Sequence, residues 1–481
     1  MGRSRIKSSI AGRLAMRRGI SVFAASVLLA ASAFVTAGEW RYTARFAETH
    51  ELLTVEVCPP DGEVVVLEAL EPHAREYLVE LDSKIWDTAS DAEHLRARQP
   101  GCASYAVALG RLGDRNRNDH GYRVGSDLLL WPASWLWWPP NLSVQMHLSM
   151  QLPAGWYFSA PWPQPDPARA EYTLGSWPRY WSALTAFTRK PGQAIERGKG
   201  RMDLVILGQL EPAQRTRMHA WIAHLADLLD CVVDGLPLPQ VQVLVVPTAR
   251  GGGPVPWGQV YRGGHGGVHF FVNLEEPQQA FIDDWTGAHE VSHLLHPYLG
   301  ARGSWMGEGL ASYLQNVLRA RAGVLPAADA WERLVAGLER GRKHPARDQA
   351  LSEVAAGMRD SRAYMRVYWS GAAYWLATDI ELRRRTRGRM SLDSALAAYA
   401  GCCLPALRAW TPLEFARELD RLTGETVFVP AAERAGAALN FPDLDPLYRE
   451  LGNELDARRQ LVGFDDGAQD AAIRREIMEK R

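Results

Sequence analysis

The chain has 481 residues, too many for one ordinary domain. Its 54 Lys and Arg against 55 Asp and Glu leave a formal net charge of −1, which excludes a broad electrostatic attraction for nucleic acid or an anionic membrane. Five cysteines are too few for a disulfide scaffold in a chain of this length, and none has zinc-finger spacing.

Arg3, Arg5, Lys7, Arg13, Arg17 and Arg18 precede an apolar run from Gly19 to Ala37, and Val35-Thr36-Ala37 offers small residues before Gly38. The pattern predicts a signal peptide over 1–37. An uncleaved anchor is the alternative, because the run nearly reaches the roughly 20 residues of a spanning helix. Either outcome exports the bulk of the chain, to the periplasm or beyond, with membrane contact only if the leader stays. In that compartment Cys58 and Cys102 can pair, while Cys231, Cys402 and Cys403 leave one thiol over.

From 38 to about 195, short apolar segments (Leu53–Val57, Val64–Leu67, Ser143–Leu152, Gly155–Ser159) alternate with Pro and Gly clusters, which predicts a β-sandwich. Trp131, Trp135, Trp137 and Trp138 read as packing residues, with a substrate or membrane contact as the sharper alternative. Residues 196–440 begin as mixed α/β. Met202–Leu207 and Val241–Val246 read as strands, Pro212–Val233 as a helix, and Gly266–Asn273 as a strand led by glycines. After Phe281 the pattern is almost wholly helical, and 441–481 reads as a charged helix with a loose tail.

The chemistry sits at His289-Glu290-Val291-Ser292-His293. Residues four apart share a helix face, so His289 and His293 can point at one metal ion about 2.0–2.1 Å away. Glu290, one step round that helix, is the candidate base for a metal-held water. A turn through Pro297, Gly300 and Gly303 can bring Glu308, in Trp305-Met306-Gly307-Glu308-Gly309, back as third ligand. Two His and one Glu form a catalytic zinc set with an open position, one ion per chain.

These residues, followed by Ala311, Tyr313, Tyr368-Trp369-Ser370-Gly371-Ala372 and Ser391-Leu392-Asp393, resemble the gluzincin metallopeptidases, in particular the glycyl-aminopeptidase and peptidase MA-like families. The resemblance covers about 270–400. It implies an α+β multidomain protein, with the β-sandwich followed by a thermolysin-like catalytic domain that has a helical C-terminal part. It implies zinc-dependent hydrolysis of peptide or protein substrates. It makes Tyr368 the hydroxyl that steadies the oxyanion and puts Ser370 where the family carries lysine. By position Gly267–Asn273 matches the family's cleft-lining edge strand. That stretch carries His265 and His269 nearby but no acid, so a free-amine-binding glutamate is not expected. Ser312, one turn after Glu308, is a candidate partner for a ligand histidine. A catalytically weak zinc protein that binds peptides, envelope material or glycans is the alternative function.

Overall fold

The computed structural model describes residues 38–479, apart from 61–62, 80, 88–92, 118–119, 142–143, 167–168, 176–182, 250, 263–264 and 345–347. The expected leader lies outside the described residues.

The N-terminal part is two packed sheets. Five strands run in the order Glu171–Leu174, Met146–Gln151, Trp40–Ala47, Leu52–Cys58, Ala103–Ala108, and four in the order Gly121–Val124, Asp127–Leu130, Thr185–Thr188, Tyr157–Ser159. Trp40–Ala47 alternates buried and exposed positions, as a strand with one face on a core must. Phe46 from the first sheet meets Phe187 from the second at 5.3 Å and Trp156 at 4.8 Å. Trp135, Trp137 and Trp138 are buried in this core. Trp131 reaches out of it, edge-on to Tyr261 at 5.8 Å. The tryptophan cluster therefore serves packing. A disulfide joins Cys58 to Cys102, and a second joins the adjacent Cys402 and Cys403; Cys231 belongs to neither.

A second five-stranded sheet follows, built of β1 (Gln193–Arg197), β2 (Gly200–Ile206), β3 (Gln240–Pro247), β4 (Trp257–Tyr261) and β5 (Gly267–Val272), in the order β1-β2-β3-β5-β4. Strand β3 is buried on both faces, which explains its unbroken apolar run. Val241, Val243 and Val245 face helix α1 (Pro212–Leu229), while Leu244 and Val246 face Leu129, Leu184 and Ala186 of the N-terminal sheets. The edge position expected for Gly267–Asn273 is corrected here. Strand β5 is interior, and the edge strand is the antiparallel β4. With a glycine inside it and a Gly-Gly-Gly-Pro stretch before it, β4 reads as loop in the sequence.

The helical pattern expected from Phe281 onward is broken at Asp284. Its carboxylate accepts from the Thr286 amide at 2.7 Å and so caps α2 (Trp285–Ser292), which ends in a tight turn over His293–Leu295. Helix α3 (Ser304–Arg321) returns across α2, and α4 (Tyr364–Thr386) packs on α3. At the α3–α4 crossing two glycines meet. A Cβ on Gly371 would sit 1.8 Å from the Trp305 carbonyl oxygen, and one on Gly309 would sit 2.3 Å from the Gly371 backbone.

The C-terminal stretch, expected as a charged helix with a loose tail, forms a helix (Asp445–Leu451), a hairpin (Asn453–Leu455 with Leu461–Phe464) and, where the tail was expected, a second helix (Ala471–Met478) whose Ile477 and Met478 are buried. A buried polar network ties this end to the core. Tyr313 donates to Asp379 at 2.9 Å, Arg321 pairs with Asp393 at 2.9 Å, and Arg383 pairs with Asp379 at 3.0 Å and Glu476 at 3.1 Å. Among the described residues no helix is long and apolar enough to cross a membrane.

Candidate metal centre

Helices α2 and α3 bring the three expected ligands together. Glu308 Oε2 lies 3.3 Å from His289 Nε2 and 3.5 Å from His293 Nε2. Ligand atoms arranged tetrahedrally around an ion about 2.0–2.1 Å away stand about 3.3–3.4 Å apart, so the donor set fits zinc. Each imidazole is held with the correct nitrogen free. Gln315 Oε1 accepts from His289 Nδ1–H at 2.9 Å, leaving Nε2 as the lone pair. His296 Nδ1–H donates to the Pro297 carbonyl at 2.6 Å, so His296 Nε2 accepts from His293 Nδ1–H at 2.9 Å, and His293 Nε2 is likewise freed. Ser312, the candidate partner, makes no such bond among the described residues; the partners are Gln315 and His296. Gln315 replaces it because α3 presents that face seven residues after Glu308, two turns along. His296 carries its signal in the sequence, three residues after His293.

The electrostatics follow from the same contacts. Burial works against charge on Glu308, but the His293 and His289 imidazoles beside it hold the carboxyl well below its usual range. Burial also opposes charging of His289, and its bond to Glu308 with the nearby Glu290 carboxylate outweighs that, so the imidazole is raised. Burial, with the charges of His293 and Arg262, keeps His296 well below its ordinary value, in keeping with an accepting Nε2. Glu290 is raised, chiefly by burial. Its side chain lies against β4 at Gly258, where a Cβ would come within 2.5 Å of Glu290 Cγ; only glycine lets the strand and this carboxylate approach so closely. Arg262, which follows β4, donates to the His293 carbonyl at 2.8 Å and braces the end of the ligand turn. Its burial pushes the guanidinium down to about 10.

Tyr368 also reaches the site. Its ring stacks on His289 at 5.9 Å and 15°, and its hydroxyl feels the Glu308 carboxylate. Burial raises its pKa, so it remains a hydrogen-bond donor. Ser370, two residues on, points away from Tyr368 around α4; it is buried and its hydroxyl has no partner. His269 is buried on interior β5 against Gln242 and plays no part in the metal set. His265 lies away from the three ligands, bonded through its amide to the Pro161 carbonyl.

No protein-family model and no curated protein matches the chain. Solved structures do. An aminopeptidase N family protein from Idiomarina loihiensis superposes with a TM-score of 0.59 at 12% identity, over 86% of this chain and 78% of that one. An M1 zinc metallopeptidase from Deinococcus radiodurans does so with a TM-score of 0.50 at 13% identity, over 85% and 94%. The chain has the fold of the gluzincin zinc metallopeptidases, with a β-sheet domain ahead of the catalytic part. Within that class its architecture is that of the M1 group.

Proposed function

We propose that this protein is a zinc-dependent peptidase, holding one zinc ion on His289, His293 and Glu308 and acting outside the cytoplasm. The observation that carries the reading is the convergence of two imidazole Nε2 atoms and one carboxylate oxygen at 3.3 and 3.5 Å, with Glu290 one residue from the first ligand. Zinc bound there supplies Lewis acidity, polarising the scissile carbonyl and lowering the pKa of water towards about 7. Glu290 takes the proton of the attacking water and delivers it to the leaving nitrogen, so the C–N bond is replaced by a carboxylate and an amine. Tyr368 donates its hydroxyl hydrogen to the carbonyl oxygen as charge gathers on it. Gln315 and His296 hold the ligand rings still. The basic, apolar leader over 1–37 and the Cys58–Cys102 disulfide support the exported location.

The test is cleavage of a mixed peptide library by the zinc-loaded protein, read by mass spectrometry. Glu290→Gln is expected to retain one equivalent of zinc and lose about 10²–10⁴-fold in rate. Chelation is expected to abolish cutting, and added zinc to restore it. Zinc binding with no cleavage of any peptide would sink the enzyme reading in favour of a zinc protein that only binds.

A further inference from the structure

Two features of the cleft bear on which peptides it takes. The first is aromatic exposure beside the metal. Trp285 lies one helical turn before His289 on the same face of α2 and is 47% exposed, the most exposed aromatic side chain among the described residues. Its ring stands edge-on to His289 at 5.5 Å. On α4, Tyr364 lies one turn before Tyr368, edge-on to it at 6.2 Å, and is 38% exposed. Each of the two rings that stack at the site, His289 and Tyr368, thus has an outer aromatic neighbour open to solvent. Large apolar surface left in water beside a metal centre is where a substrate side chain gains most from burial.

The second feature is charge. No Asp or Glu occurs between Asp234 and Glu275, the stretch that contains β4 and both loops flanking it. Among the described residues, the carboxylates with the largest effect on His289, Glu290 and Tyr368 are Glu290 and Glu308. Both are engaged, one as base and one as ligand, and the nearby cation Arg262 adds positive charge. A chain-terminal ammonium seated beside a metal dication needs a carboxylate to face it, and these residues offer none. The backbone of β4 does offer a strand edge, since its other side pairs with β5 and no strand covers its outer side among the described residues. Gly258 on that strand is packed against Glu290.

We infer that the substrate is the interior of an extended polypeptide, paired to the outer edge of β4, with a large apolar side chain next to the scissile bond resting on Trp285 and Tyr364. This rests on the peptidase reading above. Strand pairing recognises backbone whatever the sequence, and the two exposed rings supply the side-chain preference. Both rings are partly in water, so replacing them removes contact area without opening the core.

The experiment uses the zinc-loaded protein and one twelve-residue peptide in four forms, with Phe or Ala at its centre and with a free or acetylated N-terminus. Acetylation is expected to change kcat/KM by less than about twofold, and Phe to be preferred over Ala by about 10–200-fold. In Trp285→Ala and Tyr364→Ala the Phe-to-Ala ratio is expected to fall at least about fivefold, mainly through KM, with Trp285→Phe recovering most of it. Cleavage confined to the first bond and lost on acetylation overturns the inference while leaving the peptidase intact. So does a Phe-to-Ala ratio that neither variant moves. Failure of all four peptides to be cut, with zinc bound, overturns the inference and the peptidase reading together.

Discussion

Gln315 and His296 each bond the Nδ1 of a histidine proposed as a zinc ligand, and so fix which of its nitrogens would face the ion. Removing such a partner lets the ring turn or change tautomer, which typically weakens metal affinity by 10–100-fold. Gln315→Ala and His296→Ala are each expected to raise the zinc dissociation constant by about that factor, measured by competition with a chromogenic chelator. An unchanged constant in either would mean that the bond is incidental. Tyr368→Phe has a different expectation. It keeps the stack on His289 and loses the donor, so kcat should fall by about 10²–10³-fold with KM little altered in steady-state kinetics. At this scale the sequence was most legible. The ligands and base stand four, one and fifteen residues apart on segments whose helical spacing is local information. Gln315 was not legible, because its role depends on how far α3 is rotated about its own axis against α2.

Helix α3 carries Glu308 and Gln315, and α4 carries Tyr368, so the spacing of these two helices sets the site. Gly309 and Gly371 allow their backbones to touch. Gly371→Ala would force the helices apart at Trp305, whose carbonyl has nowhere to move. The expected cost is about 1–3 kcal/mol in chemical denaturation, with a loss of kcat greater than the loss of folded protein explains. Full activity in a stably folded Gly371→Ala variant would show that the crossing can relax without moving Glu308 or Tyr368. Elements with strong periodicity, such as β3 and α3, were readable ahead of the structure. Strand β4 was not, because Trp257-Gly258-Gln259-Val260-Tyr261 has neither an apolar run nor clean alternation, and its pairing with β5 is decided by tertiary contact. The break at Asp284 was missed for the reverse reason: the apolar pattern runs on across a capping residue.

In the molecule as a whole, the N-terminal sheets meet the catalytic sheet along a seam that contains a buried histidine. His269 contacts Gln242, whose amide donates at 3.1 Å to Ser159 and to the Leu184 carbonyl across the seam. Burial pushes His269 down from 6.5 to about 3. Between those values the unfolded chain binds a proton that the folded chain refuses, so stability falls as pH drops through this window and is unaffected by His269 above it. The slope is about 1.4 kcal/mol per pH unit for one such group. His269→Gln should remove that slope, so the difference in unfolding free energy between variant and parent, taken from urea titrations, should change by about 1.4 kcal/mol per pH unit between pH 6 and pH 4. Parallel curves would mean that the histidine charges without penalty. The seam itself had only one sequence signal, the two-sided apolar run of β3. The Cys402–Cys403 pairing had none, since adjacent cysteines are not an obvious pair.

The uncovered edge of β4 has a consequence for which proteins are at risk. A segment can lie along it only if its own amides and carbonyls are released from other partners over several residues. Folded domains satisfy nearly all of theirs internally. Vulnerability would then be governed by conformational state before sequence: nascent, damaged or locally opened chains would be cut at rates set by how often they open, while the same residues in an intact fold would survive.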